Sequence, residues 1–305
     1  MGVYCSLISL LFLYNFIVGP TSKADIRKYY ELINKAELAI IDSAFQDCSM
    51  FYKEAFKLKE ANGKDLTNAF IASLILDDTA DAIIYVDALA YLGLEKNYLE
   101  YCAKKVSKES LLVYATKNYE SIYKNGLAFN NKSIHLNRIL DSLFNNDQAI
   151  RKTKNKAAYS KVDSANLQCT YDLIKQYGFP SRQKIGFSGN GGSPDFPPPY
   201  WYFVWHARPN TTVIDSFLYQ AVLEGKFRPD LYAELIAQRN DYYHMILENE
   251  LITSEEKQEI DLRRKEIYLE SLEDYRRKLI KGIKRRPFQF YHNFIIGMNL
   301  WVMEE

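Results

Sequence analysis

From Asp25 onward, apolar residues recur at the three- and four-residue spacing of amphipathic helices. Tyr29, Leu32, Ile33, Ala36, Ala39 and Ile40 form one stripe. Cys48, Phe51, Tyr52, Ala55 and Leu58 form the next, after a break at Asp42-Ser43. Asn62-Gly63-Lys64 predicts the end of this second helix, because glycine is the usual residue just past a helix C-terminus. A third stripe runs through Leu66, Ala69, Phe70 and Leu74 to Asp77-Asp78, and a fourth through Ala82, Val86 and Leu89 to Leu92-Gly93. Leu99, Cys102 and Val106, then Leu111, Leu112, Tyr114, Tyr119 and Ile122, predict a further helical pair out of step with the first two. Few segments alternate with period two, so the expected fold class is all-α.

The same periodicity continues in the second half. Ile134, Leu136, Ile139, Leu140, Leu143 and Phe144 predict a helix from Lys132 to about Arg151. Val162, Leu167, Tyr171 and Ile174 predict another, ending at Tyr177-Gly178-Phe179-Pro180. A Gly/Pro-rich loop follows, and Pro199 is placed to open an aromatic helix that carries Trp201, Tyr202, Phe203, Trp205 and His206. Gly225 closes one further helix and Pro229 opens another, while Thr253 with Glu256 reads as a capping box. The apolar tail Phe288 to Val302 is expected to dock on the core.

The first residues read differently. The run from Cys5 to Gly19 is apolar except for Ser6, Ser9 and Asn15, and Ser22-Lys23-Ala24 sets small residues at −3 and −1 of a cleavage site before Asp25. This is the layout of a secretory signal, short of a membrane span, although no Lys or Arg precedes it. Export to the periplasm, cell envelope or medium is the expectation, with a buried first helix of a cytoplasmic protein as the alternative. Removal of that segment leaves Cys48, Cys102 and Cys169, an odd number without C-x-x-C spacing, which is neither a disulfide framework nor a zinc site. The net charge of +1 over 305 residues gives no field for nucleic acid.

Phe45, Cys48, Tyr52 and Ala55 lie 34 residues before Thr79, Ala82, Val86 and Leu89. In that helix–turn–helix period, the segment from Asp25 to about Gly93 resembles the tetratricopeptide repeats, with Tyr98 to Gly126 as a capping pair, although the Trp, Gly and Pro positions of the consensus are not filled. Such arrays bind peptides or proteins, so the resemblance implies an interaction role. In the second half, Asp147-Gln148-x-x-Arg151, Asp163-x-x-Asn166, Tyr177-Gly178-Phe179-Pro180, the lone His206, Gly225, Tyr232-Ala233, Arg239 and Ile260-Asp261-x-x-Arg264 occur in order. That order resembles a bacterial family defined only as a domain of unknown function, which implies a fold grouping and no reaction. This chain departs from its pattern at Gln238-Arg239 and at Tyr242 to Met245. The expected organisation is a signal at 1–24, a tetratricopeptide-like array at 25–126 and a helical domain at 127–305.

His206 is the catalytic candidate, because histidine alone titrates near neutral pH without help. It needs an orienting carboxylate, which Asp147 or Asp163 supplies if their helices converge. Asp147, Gln148, Arg151, Asp163, Asn166 and Arg239 are candidates for a ligand site or polar network. Asp147 and Arg151 stand i and i+4, worth about 0.3–0.5 kcal/mol on a solvated helix face. Asp163 equally fits a helix N-cap. His135, His206, His244 and His292 lack metal-ligand spacing, so no metal and no cofactor is expected. The glycine-rich Ser188 to Ser193 lacks the G-K-[ST] of a phosphate loop. Arg276, Arg277, Lys278, Lys281, Lys284, Arg285 and Arg286 suit a solvated helix C-terminus.

Two functional classes remain open on these grounds. The first is a non-catalytic interaction or scaffold protein of the cell envelope that captures a peptide or protein through its repeats. The second is a hydrolase-type enzyme using His206 with Asp147, Asp163 and Arg151.

Overall fold

A computed structural model describes residues 21–130, 134–187, 197–207, 212–237 and 253–290. Among these residues the chain is all-α. Its helices are α1 (Lys23–Ile41), α2 (Phe45–Ala55), α3 (Gly63–Ile75), α4 (Thr79–Tyr91), α5 (Lys96–Lys105), α6 (Glu109–Ala115) and α7 (Tyr119–Asn130). They continue as α8 (Ile134–Lys152), α9 (Lys156–Tyr177), α10 (Arg182–Ile185), α11 (Pro199–His206) and α12 (Thr212–Leu223). The last are α13 (Pro229–Ala237), α14 (Ser254–Glu266) and α15 (Leu272–Gly282), followed by a short 3₁₀ turn, Ile283–Arg285. No described helix is long and apolar enough to cross a membrane.

Sequential helices pair because one kind of turn recurs. Ser43, Asp77, Gly93 and Ser107 each adopt a left-handed backbone, at φ 61°, 57°, 85° and 57°. In each turn the following amide reaches back five residues, as in Ala44 N to Ala39 O at 2.8 Å and Asp78 N to Ser73 O at 2.9 Å. Leu94 N to Leu89 O and Lys108 N to Ala103 O complete the set. This bond pattern satisfies helix-end carbonyls and reverses the chain. The predicted breaks at Asp42-Ser43, Asp77-Asp78 and Leu92-Gly93 all fall on these turns. α7 then lies against α4, so closely that a Cβ at Gly126 would stand 2.0 Å from the Tyr91 carbonyl oxygen.

Gly63 has another role than the one its sequence context predicts. It opens α3 rather than closing α2, with Asn62 as N-cap, and a Cβ there would meet the Phe187 ring at 2.1 Å. Glycine is required by packing at this position, and the end of α2 is made without it.

Two buried clusters form the core, and they do not follow the order of the chain. One gathers α1–α7 together with Phe187, Tyr275, Leu279, Phe288 and Phe290. The other gathers α8–α13 together with Ile267 and Tyr268, just after α14, and Ile26 from α1. Phe288 and Phe290 thus dock on the core as their hydrophobicity predicts; the tail beyond them lies outside the described residues, as do the glycine-rich loop and residues 1–20. Ser22 is the N-cap of α1, in a capping box with Asp25.

The basic run is the principal surprise. Arg276, Lys281, Lys284 and Arg286 are exposed, as on a solvated face, but Arg277, Lys278 and Arg285 form a seam against α1 and its C-cap. Lys278 is buried and donates to Glu37 Oε2 at 2.6 Å, and Lys64 donates to the other oxygen of the same buried carboxylate. Arg277 reaches Asp42 at 2.5 Å and Arg285 donates to the Ile41 carbonyl at 2.7 Å. Burial disfavours the Lys64 ammonium, but Glu37 and Asp65 outweigh it and hold its pKa above the ordinary lysine value. Removing one member of a buried ion pair leaves an uncompensated charge and costs about 3–5 kcal/mol, whereas an exposed pair is worth about 0–1 kcal/mol. Glu37→Ala is therefore expected to destabilise the chain by about 3–5 kcal/mol and Arg277→Ala by under about 1 kcal/mol in urea unfolding. Equal losses for the two would refute the seam's asymmetry.

Candidate functional site

α8, α9 and α11 meet in a three-helix contact that brings together the polar residues singled out above. α9 returns along α8 after a turn at Lys154, and Tyr159 Oη donates to the Arg151 carbonyl at 2.7 Å, tying the two ends. The rotation of α11 is set by its aromatics. Trp201 is buried, donates from Nε1 to the Leu231 carbonyl of α13 at 3.0 Å, and stacks on Trp205 with ring centroids 4.8 Å apart. With that side committed to α13, Tyr202 and His206, one turn apart, face α8. Tyr202 meets Phe144 at 5.4 Å between ring centroids, and His206 Nδ1 lies 3.3 Å from Asp147 Oδ1.

Asp147 is the hub. It is 1 % exposed, so the solvated-face reading of Asp147 and Arg151 does not hold. Arg151 grips it at both oxygens, Nε to Oδ2 at 3.1 Å and Nη2 to Oδ1 at 3.0 Å. Gln148 Nε2 adds a bond to Oδ2 at 3.0 Å. Arg151 Nη2 also donates to Asp163 Oδ1, so one guanidinium joins two carboxylates. Asp163 sits inside α9, whose N-cap is Asn155, accepting from Ala158 N at 3.3 Å; Asp163 is not a cap. Asn166, one turn along, is buried, and its Nδ2 makes no hydrogen bond. Arg239, the remaining candidate, lies outside the described residues.

The two carboxyls are driven apart. Burial raises Asp147, but its hydrogen bonds with His206 and Arg151 and their charges more than offset this, holding the carboxyl below its ordinary value. Asp163 goes the other way, because burial there outweighs the pull of Arg151. Arg151 is raised, its loss of hydration being overcome by Asp147 and Asp163. A pair of carboxyls whose environments separate their pKa values can divide roles between permanent anion and proton carrier.

Asp147, Asp163 and His206 each offer a ligand atom within 4.8 Å of the others. A metal ion there would have to displace Arg151. The four acceptor positions of the Asp147 carboxylate are already met by two Arg151 donors, Gln148 and the imidazole. The guanidinium thus stands where a cation would.

Two groups at this site keep hydrogen-bonding capacity to spare. With Nδ1 turned to Asp147, His206 presents Nε2, and Arg151 retains Nη1. The His206, Asp163 and Arg151 side chains are 19 %, 13 % and 26 % exposed, so the site reaches solvent on this side.

Other residues of the family-like pattern have packing or capping roles. Asp261 Oδ1 accepts from Leu272 N at 2.7 Å and caps α15, and Arg264 is buried with Nε donating to the Glu270 carbonyl at 2.7 Å. Phe179 packs against the rings of Tyr200 and Phe227, which also meet each other. Sequence reasoning missed a second buried polar group altogether. Tyr29 Oη donates to Asp65 Oδ2 at 2.6 Å, and Lys59 lies over the Tyr29 ring at 4.5 Å with its pKa pushed down to about 8 by burial. The one clue was a cluster of polar residues within an otherwise apolar α3.

Compared with protein-family models, curated proteins and solved structures, the chain matches none.

The opposed shifts predict a pH dependence. Asp147 has a lower pKa folded than unfolded, so its stabilising contribution is full above the unfolded value of about 3.9 and is lost as pH falls through the folded one. Asp163 has a raised pKa, so its contribution is full below the unfolded value and is lost as pH rises through the folded one. Melting temperatures from pH 2 to 7 should show a shallower acid limb below about pH 4 for Asp147→Asn. At pH 7 Asp163→Asn should be the better tolerated of the two, and the reverse order would refute the assignment.

Proposed function

We propose that the chain is a hydrolase-type enzyme, exported from the cell, whose proton-transfer centre is the Asp147–His206–Arg151–Asp163 cluster. The observation that carries this reading is the 3.3 Å approach of Asp147 to His206 Nδ1, with Nε2 left over for chemistry. An imidazole held through Nδ1–H by a buried carboxylate carries its lone pair on Nε2, the arrangement of a general base. The distance is at the long end for a hydrogen bond, as is common before substrate binds. No serine, threonine or cysteine among the described residues hydrogen-bonds to His206, so the base acts on water or on a substrate hydroxyl. Arg151 Nη1 binds an anionic group of the substrate, and Asp163, the more readily protonated carboxyl, returns a proton to the leaving group.

Positioned acid–base groups contribute about 10²–10⁴-fold in rate. With purified chain and chromogenic carboxylate esters, phosphate esters and glycosides, one class should be turned over. His206→Ala should then lose about 10²–10⁴-fold in kcat/KM while its melting temperature stays close to wild type. Turnover unchanged by that substitution, or none in any class, would remove the reading.

A second reading, a scaffold of the cell envelope acting through α1–α7, is supported by exposed Val113 and Tyr114 on α6, each 70 % accessible, and by Tyr101 on α5, which is 41 % accessible. Because Phe187, Phe288 and Phe290 belong to the core of this array, the full chain is the proper bait. Capture of an envelope protein that is lost on Tyr114→Glu would support it. Capture that survives the substitution would count against this face.

A further inference from the structure

The segment that follows the 3₁₀ turn, Arg286 to Phe290, has no regular secondary structure and crosses the α1–α7 array. Its bonds to the array are those by which a peptide is read. Asn68, buried on α3, accepts from Gln289 N at 2.8 Å and donates from Nδ2 to Gln289 O at 2.5 Å, so its amide holds both backbone groups of one residue. Lys64 donates to the Phe290 carbonyl at 3.4 Å. The Gln289 side chain donates to the Tyr98 hydroxyl on α5. Phe288 and Phe290, two residues apart, point away from Gln289 into the core. Phe288 stacks on Phe45 of α2 with ring centroids 5.9 Å apart, and Phe290 fills space left by Gly282, where a Cβ would stand 2.7 Å from the ring.

Asn68 is the telling residue. A buried amide without partners is costly, and this one hydrogen-bonds to both backbone groups of Gln289. Backbone bonds carry no side-chain information, while the flanking aromatic pockets and Tyr98 do. The division of labour is that of a groove for an extended strand, with backbone for affinity and alternate side chains for specificity.

We infer that the α2–α3–α5 surface is a recognition groove for an extended peptide of aromatic–Gln–aromatic sequence, held in this chain by its own residues 286–290, and that a partner protein presenting such a segment competes for it. This rests on the interaction reading of the array and names its ligand class. It is independent of the proton-transfer site.

The test uses the full chain and a fluorescein-labelled peptide of residues 284–290. In Phe288→Ala/Phe290→Ala the resident segment loses its anchors. This variant should bind the peptide saturably and at least about tenfold more tightly than wild type does, because the resident segment no longer reduces the competent fraction. Asn68→Ala in the same background should abolish binding, and a peptide with both phenylalanines replaced by alanine should not compete. An opened variant with wild-type circular dichroism that binds no peptide, or that binds equally after Asn68→Ala, overturns the proposal. Should the opened variant unfold, wild type decides. Millimolar peptide should accelerate exchange of the Gln289 amide proton, whose bond to Asn68 it replaces, and unchanged exchange overturns the proposal. Peptide binding without capture of any envelope protein would keep the groove and discard the envelope role.

Discussion

The Glu37 carboxylate, buried between the ammonium groups of Lys64 and Lys278, is the constraint on which the rest of the molecule depends. A charge removed from water is tolerated only when it is paired and hydrogen-bonded. Glu37 needs both lysines, one 27 residues away and the other 241. Satisfying it lays α15 along α1, which carries the following segment across α2, α3 and α5 and delivers Gln289 to Asn68. The same α1 sends Ile26 into the other core, and Tyr30 stacks on Tyr268 at 5.9 Å. One first helix thus belongs to both hydrophobic clusters, and its ionic centre sets how the end of the described chain closes on the beginning.

The site at α8, α9 and α11 follows a similar rule with a different outcome. Asp147 is as buried as Glu37, but its partner Arg151 is on its own helix and is shared with Asp163. Sharing leaves the second carboxyl underpaid for its desolvation, which is why its pKa rises while that of Asp147 falls. The imidazole is added by tertiary contact alone. The aromatic helix buries Trp201, Phe203 and Val204 on one side and is left with Tyr202 and His206 for α8. A structural network would need only the ion pairs; the imidazole with its open Nε2 is what suggests chemistry.

Local chemistry was the legible part. The stripes located the helices, and the breaks at Asp42-Ser43 and Asp77-Asp78 fell on left-handed turns because short polar side chains tolerate that backbone. Pro199 and the Thr253–Glu256 box opened helices where N-terminal rules place them. The pairing of Asp147 with Arg151 was readable from helix geometry, and the convergence with Asp163 and His206 could be stated only as a condition. Gly63 was misread because its small size serves the Phe187 ring and not a turn. Lys278, within the basic run, was misread because charge density looks the same whether it faces water or Glu37.

By itself the sequence determined the fold class, the limits of the first four helices within a few residues and the shortlist of polar side chains, since these follow from interactions spanning four or five residues. Tertiary structure alone decided which charges are buried, which helix face His206 presents and where Phe288 to Phe290 lie. Burial and the desolvation that shifts a pKa are properties of neighbours brought together from distant positions, and periodicity carries no record of the distance at which its faces meet.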